Sequence, residues 1–373
     1  MKVPFMDLKA QYLALKLKMD AAIADCLENS AFVQGKRAAA FEREFATYLG
    51  VRRAVGCGNG TDAIYLALRG LGVGPGHEVI VPANTFIATA EAVTMAGADV
   101  VFCDVDPRTN NMGPEQAKAK ITGRTKALLP VHLYGFPADL VGLRAVADQH
   151  GLKLVSDSAQ AHGAKIDGCD VAQLSDVSCY SFYPGKNLGA IGDAGAVATD
   201  DEALAERVTM MRNHGRKDKY IHDFEGVNMR LDEIQAAVLM AKLPNLEGWT
   251  QARVALAEKY ASALAGVGDL VLPAMDPTRR AVYHLFVVET GRRDALRAFL
   301  SEAGVSTGIH YPVPLPLQPA YARLNLGEDA FPASVSKARR ILSLPMFPEM
   351  TAEQQDRVVG CIRSFFSQST DLE

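Results

Sequence analysis

The chain has 373 residues, 49% of them hydrophobic and 22% charged, enough apolar material for a large core in two domains or in one domain with an appendage. With 39 basic against 43 acidic residues the net charge is −4, which gives no electrostatic basis for holding nucleic acid or an anionic membrane. Met1 to Asp7 lacks the charged-then-apolar design of a signal peptide, apolar runs stop short of a bilayer span, and the cysteines and histidines show no CxxC, HExxH or HxH spacing, so the sequence reads as cytoplasmic and metal-free.

In chain order, Gly58-Asn59-Gly60-Thr61 is a glycine-rich turn that opens a helical pattern from Asp62 to Leu71. Short apolar runs then alternate with helix-period segments. Strands are expected at Glu78–Val81, Asp99–Phe102, Ala127–His132, Lys153–Ser156 and Val177–Phe182, and helices at Phe86–Ala96 and Leu140–Gln149. This rhythm implies βαβ units and a mostly parallel sheet covered on both faces, with functional residues beyond the carboxyl ends of its strands. An amphipathic helix is expected at Leu231–Leu243, stopped near Pro244. A longer one should run from Leu246 to about Ala265, with Trp249, Ala252, Leu256, Tyr260 and Ala263 along one face. After Pro273 the pattern gives a strand at Val282–Val288, a helix at Arg293–Ala303 and a strand at Val305–His310. A proline-rich segment follows, then helices near Ala333–Leu342 and Ala352–Phe366. The division this suggests is a large domain over residues 1–250 and a smaller α+β domain over 251–373, joined by the long helix.

Two strand ends carry the chemistry. Ser181-Phe182-Tyr183-Pro184-Gly185-Lys186-Asn187-Leu188-Gly189 places a lysine in a Gly/Pro-bounded turn after an aromatic strand, where an unpartnered ammonium is costly to bury. A solvated turn lysine would explain Lys186 taken alone. Upstream, however, Val155-Ser156-Asp157-Ser158-Ala159-Gln160-Ala161-His162 ends another strand in an acid. A lysine amine that forms a Schiff base, with a carboxylate to hold a pyridine nitrogen protonated, is the pair that pyridoxal phosphate (PLP) needs.

With these motifs in place, the chain resembles the DegT-type (DegT/DnrJ/StrS) nucleotide-sugar aminotransferases, PLP enzymes of the aspartate aminotransferase fold type I. The likeness runs almost end to end, through Phe5-Met6-Asp7-Leu8, Gly58-Asn59-Gly60-Thr61-Asp62-Ala63, Val81-Pro82-Ala83-Asn84-Thr85-Phe86 and Pro130-Val131-His132-Leu133-Tyr134-Gly135. After the aspartate and lysine motifs it continues through Asn228-Met229-Arg230-Leu231-Asp232-Glu233 and His310-Tyr311-Pro312. The resemblance implies an α/β fold with a large, mostly parallel central sheet flanked by helices, plus a smaller carboxyl-terminal α+β domain. It implies Lys186 as catalytic residue, with Asp157 on the pyridine nitrogen, Gln160 on the cofactor's phenolic oxygen and Phe86 stacked on its ring. Gly60, Thr61 and Ser181 would form the phosphate cup, completed by Asn228 of a neighbouring subunit in a homodimer with shared sites, and Asp62 would also be cofactor-binding. His162 is either part of this group or a packing residue, and Thr61 could instead cap its own helix.

For the substrates, L-glutamate and a nucleotide-linked keto-sugar, the candidates are Tyr183, Lys219, Tyr220, Arg230, His310 and Tyr311, with Lys217 and His222 in the same polar loop as Lys219. Arg230 either anchors a carboxylate or pairs with Asp232. The chain departs from the family pattern at Leu315-Pro316-Leu317, where a histidine is usual, at Phe136, where glutamine is usual, and at Ser156, where an acid is usual. Around Pro184-Gly185-Lys186-Asn187-Leu188-Gly189-Ala190 and Gly192-Asp193-Ala194-Gly195 the chain most resembles members that aminate C3 of a dTDP-linked 3-keto-6-deoxyhexose in deoxyamino-sugar biosynthesis. Alternatives are a C4 aminotransferase, a UDP-3-keto-uronate aminotransferase, or a non-catalytic PLP-binding regulatory protein. The last would want a DNA-reading helix or a basic face, and neither is legible. A cysteine desulfurase would want a mobile loop cysteine, whereas Cys361 lies in a helical pattern.

Overall fold

The computed structural model describes residues 1–368. Helices α1 (Leu8–Glu28) and α2 (Lys36–Leu49) precede β1 (Arg53–Cys57) and α3 (Gly60–Gly70). Then come β2 (Glu78–Pro82), α4 (Ile87–Met95), β3 (Asp99–Cys103), α5 (Pro114–Lys118), β4 (Thr125–Leu128), α6 (Leu140–His150) and β5 (Lys153–Asp157). Two short strands, β6 (Lys165–Ile166) and β7 (Cys169–Asp170), lead to β8 (Val177–Ser181) and β9 (Gly195–Thr199). Helices α7 (Glu202–Met211), α8 (Glu233–Lys242) and α9 (Leu246–Leu264) follow, then β10 (Arg279–Arg280), β11 (Phe286–Glu289) and α10 (Arg293–Glu302). The chain closes with α11 (Pro332–Arg340), β12 (Ile341–Leu344) and α12 (Ala352–Ser367).

The central sheet has seven strands in the order β1-β9-β8-β5-β4-β2-β3. Every pairing is parallel except the two made by β9. The carboxyl ends of β1, β8, β5, β4 and β2 therefore share one edge. Val79, Ile80 and Val81 of β2 and Ala196, Val197 and Ala198 of β9 are buried on both faces, as a sheet sandwiched between helices requires. A second core gathers Tyr260 of α9, Phe286 and Val288 of β11, Leu296 of α10, Leu342 of β12 and Ile362 of α12. Val3 packs into this second core and bridges Val305. Asp104, just past β3, holds the start of α11 against the sheet by accepting from the Ala333 N–H at 2.8 Å, the Ser334 N–H at 2.9 Å and the Ser334 hydroxyl at 2.6 Å. The last five residues of the 251–373 segment lie outside the described residues.

Five expectations are corrected. The buried stripe of α9 is Leu246, Thr250, Arg253, Ala257, Tyr260 and Leu264, so the helix is turned one position from the face centred on Trp249 and Leu256. Hydropathy points away from Thr250 and Arg253, but Arg253 Nη1 donates to the carbonyls of Tyr283 (3.1 Å), Met346 (3.2 Å) and His284 (3.4 Å), which makes its burial tolerable. Those bonds also explain why the strand expected over 282–288 begins only at Phe286. The carbonyls of Val282, Tyr283 and His284 serve Asn187 and Arg253 instead of a ladder, and Tyr283 takes φ +43°. The segment 305–310 is likewise no strand: it makes single bridges, Val3–Val305 and Gly308–Ser343. Finally, β4 stops at Leu128, short of His132, and residues 341–342 open β12 where a helix was expected.

Glu233, the first residue of α8, is fully buried and caps α2 from a distance. Its carboxylate accepts from the N–H groups of Gly35 (2.7 Å), Ala38 (2.8 Å) and Arg37 (3.1 Å). These donors are orphans of a helix amino terminus, where negative charge is also favoured. Glu233→Ala should therefore cost about 3 kcal/mol, because it strands buried donors. Thermal unfolding should show a clear drop in Tm, with Glu233→Gln intermediate. An unchanged Tm for Glu233→Ala would show that water replaces the cap.

Candidate active site

Five loops leave the carboxyl edge of the sheet and meet there. They carry Gly58–Thr61 after β1, Phe86 after β2, the 129–135 turn after β4, Ser158–Gln160 after β5, and Phe182–Lys186 after β8. The parallel sheet thus collects residues from sequence positions 58 to 186 onto one edge.

Lys186 and Asp157 face each other electrostatically. Lys186 is half-buried, and its amine makes no hydrogen bond or ion pair among the described residues. Burial pushes its pKa down to about 8, and the charge of Asp157 only partly opposes this. Asp157 is buried and lifted above the usual carboxylate range by desolvation. Bonds from the Thr89 hydroxyl (2.7 Å) and the Ala159 N–H (3.1 Å), with the Lys186 charge, pull it back. The pair is an amine whose charge burial disfavours, beside a carboxylate held in an apolar place.

A concave donor site lies beside them. Asn59 caps α3 by accepting from the Asp62 N–H at 2.8 Å, so Thr61 does not cap its own helix. The N–H groups of Gly60 and Thr61 find no acceptor among the described residues. A Cβ on Gly60 would sit 2.7 Å from Cβ of Ser181, so only glycine lets the helix start approach β8 this closely. Asp62 is half-buried by Gly58, and burial raises its carboxyl, with Asp193 adding to the effect. Unsatisfied helix N–H groups beside a serine hydroxyl suit a phosphate, a buried carboxylate suits a protonated ring nitrogen, and a partnerless amine suits an aldehyde. This donor set fits PLP.

Gln160 is buried and oriented. Its Oε1 accepts from the Tyr134 N–H at 2.6 Å, which turns its NH2 outward, and that NH2 lies 3.4 Å from the Tyr311 hydroxyl. The ring of Tyr311 is 5.6 Å from that of Phe86, which is 52% exposed at the cap of α4. Tyr134 donates its hydroxyl to the His310 carbonyl, and His310 Nδ1 is 2.8 Å from Ser343 Oγ. Burial, aided by the Lys186 charge, lowers the His310 pKa to about 4, so the ring is neutral. His310 and Tyr311 are thus brought to the site from the second core.

Other candidates stand apart. His162 is fully buried near Phe45, Tyr180 and Phe182, with its pKa lowered to about 3, and reads as packing. Tyr183 is exposed. Arg230 does not pair with Asp232; its Nη1 donates to Asn213 Oδ1 at 3.2 Å. Asn228 is exposed and bridges Asn213, and among the described residues its side chain makes no hydrogen bond to Lys186, Asp157, Thr61 or Ser181. Lys217, Lys219, Tyr220 and His222 occupy an exposed loop, in which Lys219 Nζ stands 5.4 Å from the Tyr220 ring centroid. Of the departing positions, Leu315 is core, Ser156 is buried, and Phe136 lines a separate cavity of about 320 Å³ with Tyr134 and Tyr283.

The structure also adds residues the motifs did not single out. Asn187 donates to the Val282 carbonyl at 2.9 Å and lies 3.2 Å from His284 Nδ1, pinning the lysine turn to the second core. Its position directly after Lys186 was the available signal. Thr85 and Thr89, four apart across a helix start, form a buried pair of hydroxyls 2.9 Å apart.

Comparison with known proteins agrees with this geometry. Residues 14–363 match the model of the DegT/DnrJ/EryC1/StrS aminotransferase family. The chain is 49% identical over 364 residues to the dTDP-3-amino-3,4,6-trideoxy-alpha-D-glucose transaminase of Streptomyces venezuelae, covering 98% of this chain and 96% of that protein. It is 44% identical over 361 residues to the UDP-N-acetyl-3-dehydro-alpha-D-glucosamine 3-aminotransferase of Acidithiobacillus ferrooxidans, covering 97% of each. The structure superposes on that of S. venezuelae DesV, solved in complex with a ketimine intermediate, with a TM-score of 0.96 and 49% identity over 98% of both chains.

Proposed function

The chain belongs to the DegT/DnrJ/EryC1/StrS aminotransferase family, and from that premise we propose that it moves an amino group from L-glutamate to C3 of a dTDP-linked 3-keto-6-deoxyhexose. It is a PLP-dependent sugar aminotransferase of fold type I. The observation that carries the reading is the amine of Lys186, without a hydrogen bond or ion pair among the described residues, near the buried carboxylate of Asp157.

PLP, when bound, supplies an electron sink for the carbon that loses its proton. The protein's residues do the rest. Lys186, with its pKa near 8, is part neutral at physiological pH, so it can act first as nucleophile and then as the base that moves a proton. Asp157, with two donors on its oxygens, holds a positive ring nitrogen opposite it. Gln160 offers its NH2, fixed in direction by Tyr134, to a phenolic oxygen. Gly60, Thr61 and Ser181 hold phosphate, and Phe86 covers one face of the ring.

We assign the sugar and nucleotide to Tyr183, Tyr311, His310 and the exposed loop of Lys217, Lys219, Tyr220 and His222, with Arg230 kept for a carboxylate. Two supports favour C3: both relatives above are named for amination at that position. We further propose a homodimer in which Asn228 of one protomer completes the phosphate cup of its partner. Its exposure and the lack of a hydrogen bond to its own Lys186 group among the described residues support this, as do the exposed Leu13 and Leu17 on α1 and Phe32 and Val33 after it.

The test is product analysis. Purified enzyme with PLP and glutamate should convert a dTDP-3-keto-6-deoxyhexose to a product heavier by an amino-for-keto exchange, with nitrogen on C3 by NMR. Nitrogen on C4, or turnover only of a UDP-linked 3-keto-uronate, would refute the assignment.

A further inference from the structure

The carboxylate of Asp157 does not stand alone in its apolar pocket. Thr89 Oγ1 lies 2.7 Å from Asp157 Oδ2, and Thr85 Oγ1 lies 2.9 Å from Thr89 Oγ1. Both threonines are buried, at 2% and 0% exposure, so no water competes for these hydroxyls. An ionised carboxylate can only accept, which fixes the direction of the chain: Thr89 donates to Asp157, and Thr85 donates to Thr89. Such a chain polarises along its length and is strengthened by the charge at its end. The spacing comes from the fold, because Thr85 precedes α4 and Thr89 lies in its first turn, over the carboxyl ends of β2 and β5.

We propose that Thr85 and Thr89 are positioning residues, a two-hydroxyl relay that keeps Asp157 ionised and its carboxylate aimed, so that the ring nitrogen of the cofactor stays protonated. The inference rests on the PLP reading above, and goes beyond it in naming what holds the aspartate. The Lys186 charge cannot fill this role, because it is removed when the amine becomes neutral. The other titratable groups that face Asp157 are Cys179 on β8 and Tyr311 from the second core, and both are neutral with their pKa values raised. His132, which donates its backbone N–H to the Asp157 carbonyl at 3.1 Å, has its ring held neutral by burial. The relay and the Ala159 N–H are therefore the permanent stabilisers of the charge.

The experiment compares Thr89→Val, which keeps the shape and removes the hydroxyl, with Thr89→Ser and Thr85→Val. Two readouts apply, one without cofactor. In the apoprotein, burial already raises the Asp157 carboxyl, and losing the Thr89 donor raises it further. The charged form is the one penalised, so Thr89→Val should lower Tm most at neutral and higher pH, with the deficit shrinking as Asp157 takes up its proton in acid. A hydroxyl that only fills space would give a deficit independent of pH. In the second readout, absorbance titration of apoprotein should show PLP affinity about tenfold weaker for Thr89→Val at neutral pH. Thr89→Ser should restore both values, and Thr85→Val should shift both less in the same direction. Thr89→Val with a pH-independent Tm deficit and wild-type PLP affinity would overturn the relay. Should Thr89→Val not fold, Thr85→Val decides by the same two readouts. Failure of the wild type itself to bind PLP would instead sink the cofactor reading.

Discussion

Lys186→Ala should abolish transamination, with kcat falling on the order of 10⁴-fold or more, because one side chain serves as both nucleophile and proton carrier. Borohydride treatment of wild-type protein loaded with PLP should fix the cofactor's mass on the peptide containing Lys186, and the variant should show no such mass. The fold should survive, since the amine makes no hydrogen bond or ion pair among the described residues. Its pKa gives the pH dependence. An ammonium whose pKa is pushed down to about 8 by burial is penalised in the folded state wherever it is charged. Below that pH the wild-type apoprotein carries the penalty, so Lys186→Ala should be the more heat-resistant of the two apoproteins there. The gap should shrink as pH rises from about 8 toward 10.5, the ordinary lysine value, where the amine is neutral in the folded and unfolded chains alike. The same titration governs reactivity, so apoprotein should combine with PLP faster as pH is raised through about 8. An alanine variant that keeps about 1% of wild-type turnover would show that Lys186 is not the group the reaction depends on.

What was legible in advance follows from which forces fixed each element. Asp157, Ser181 and Lys186 could be read because polar residues that end apolar strands break the hydrophobic pattern, and an open sheet puts strand ends at the site. The Gly60 turn could be read because a glycine before a helix is a local signal. The buried face of α9 could not, because Arg253 is inside for reasons 30 to 93 residues away, where it satisfies three carbonyls. The false strands near 282 and 306 have the same origin: β-type residues there give their carbonyls to Asn187, Arg253 and Tyr134. Thr85 and Thr89 look like ordinary helix-start residues until β5 brings Asp157 beneath them. In each case tertiary hydrogen bonding overrode a pattern that hydropathy alone reads differently.

Mixing two inactive variants should restore activity. If Asn228 reaches across a twofold interface, each site draws Lys186 from one protomer and Asn228 from the other. Lys186→Ala and Asn228→Asp homodimers would then both be crippled, the first for want of an amine, the second because a carboxylate faces a phosphate. In a mixed dimer the two lesions fall on the same site, and the second site has a wild-type lysine and a wild-type asparagine. Random exchange makes about half the dimers mixed, so activity should rise to about a quarter of wild type. The Asn228→Asp loss should also be salt- and pH-sensitive, since repulsion between the new carboxylate and a phosphate weakens with screening and with protonation. Subunit exchange itself can be followed with differently tagged protomers. Exchange without any gain in turnover would place Asn228 in its own protomer's site or outside both. The exposed position of Asn228, bridged to Asn213 and with no hydrogen bond to its own Lys186 group among the described residues, is why rescue is expected.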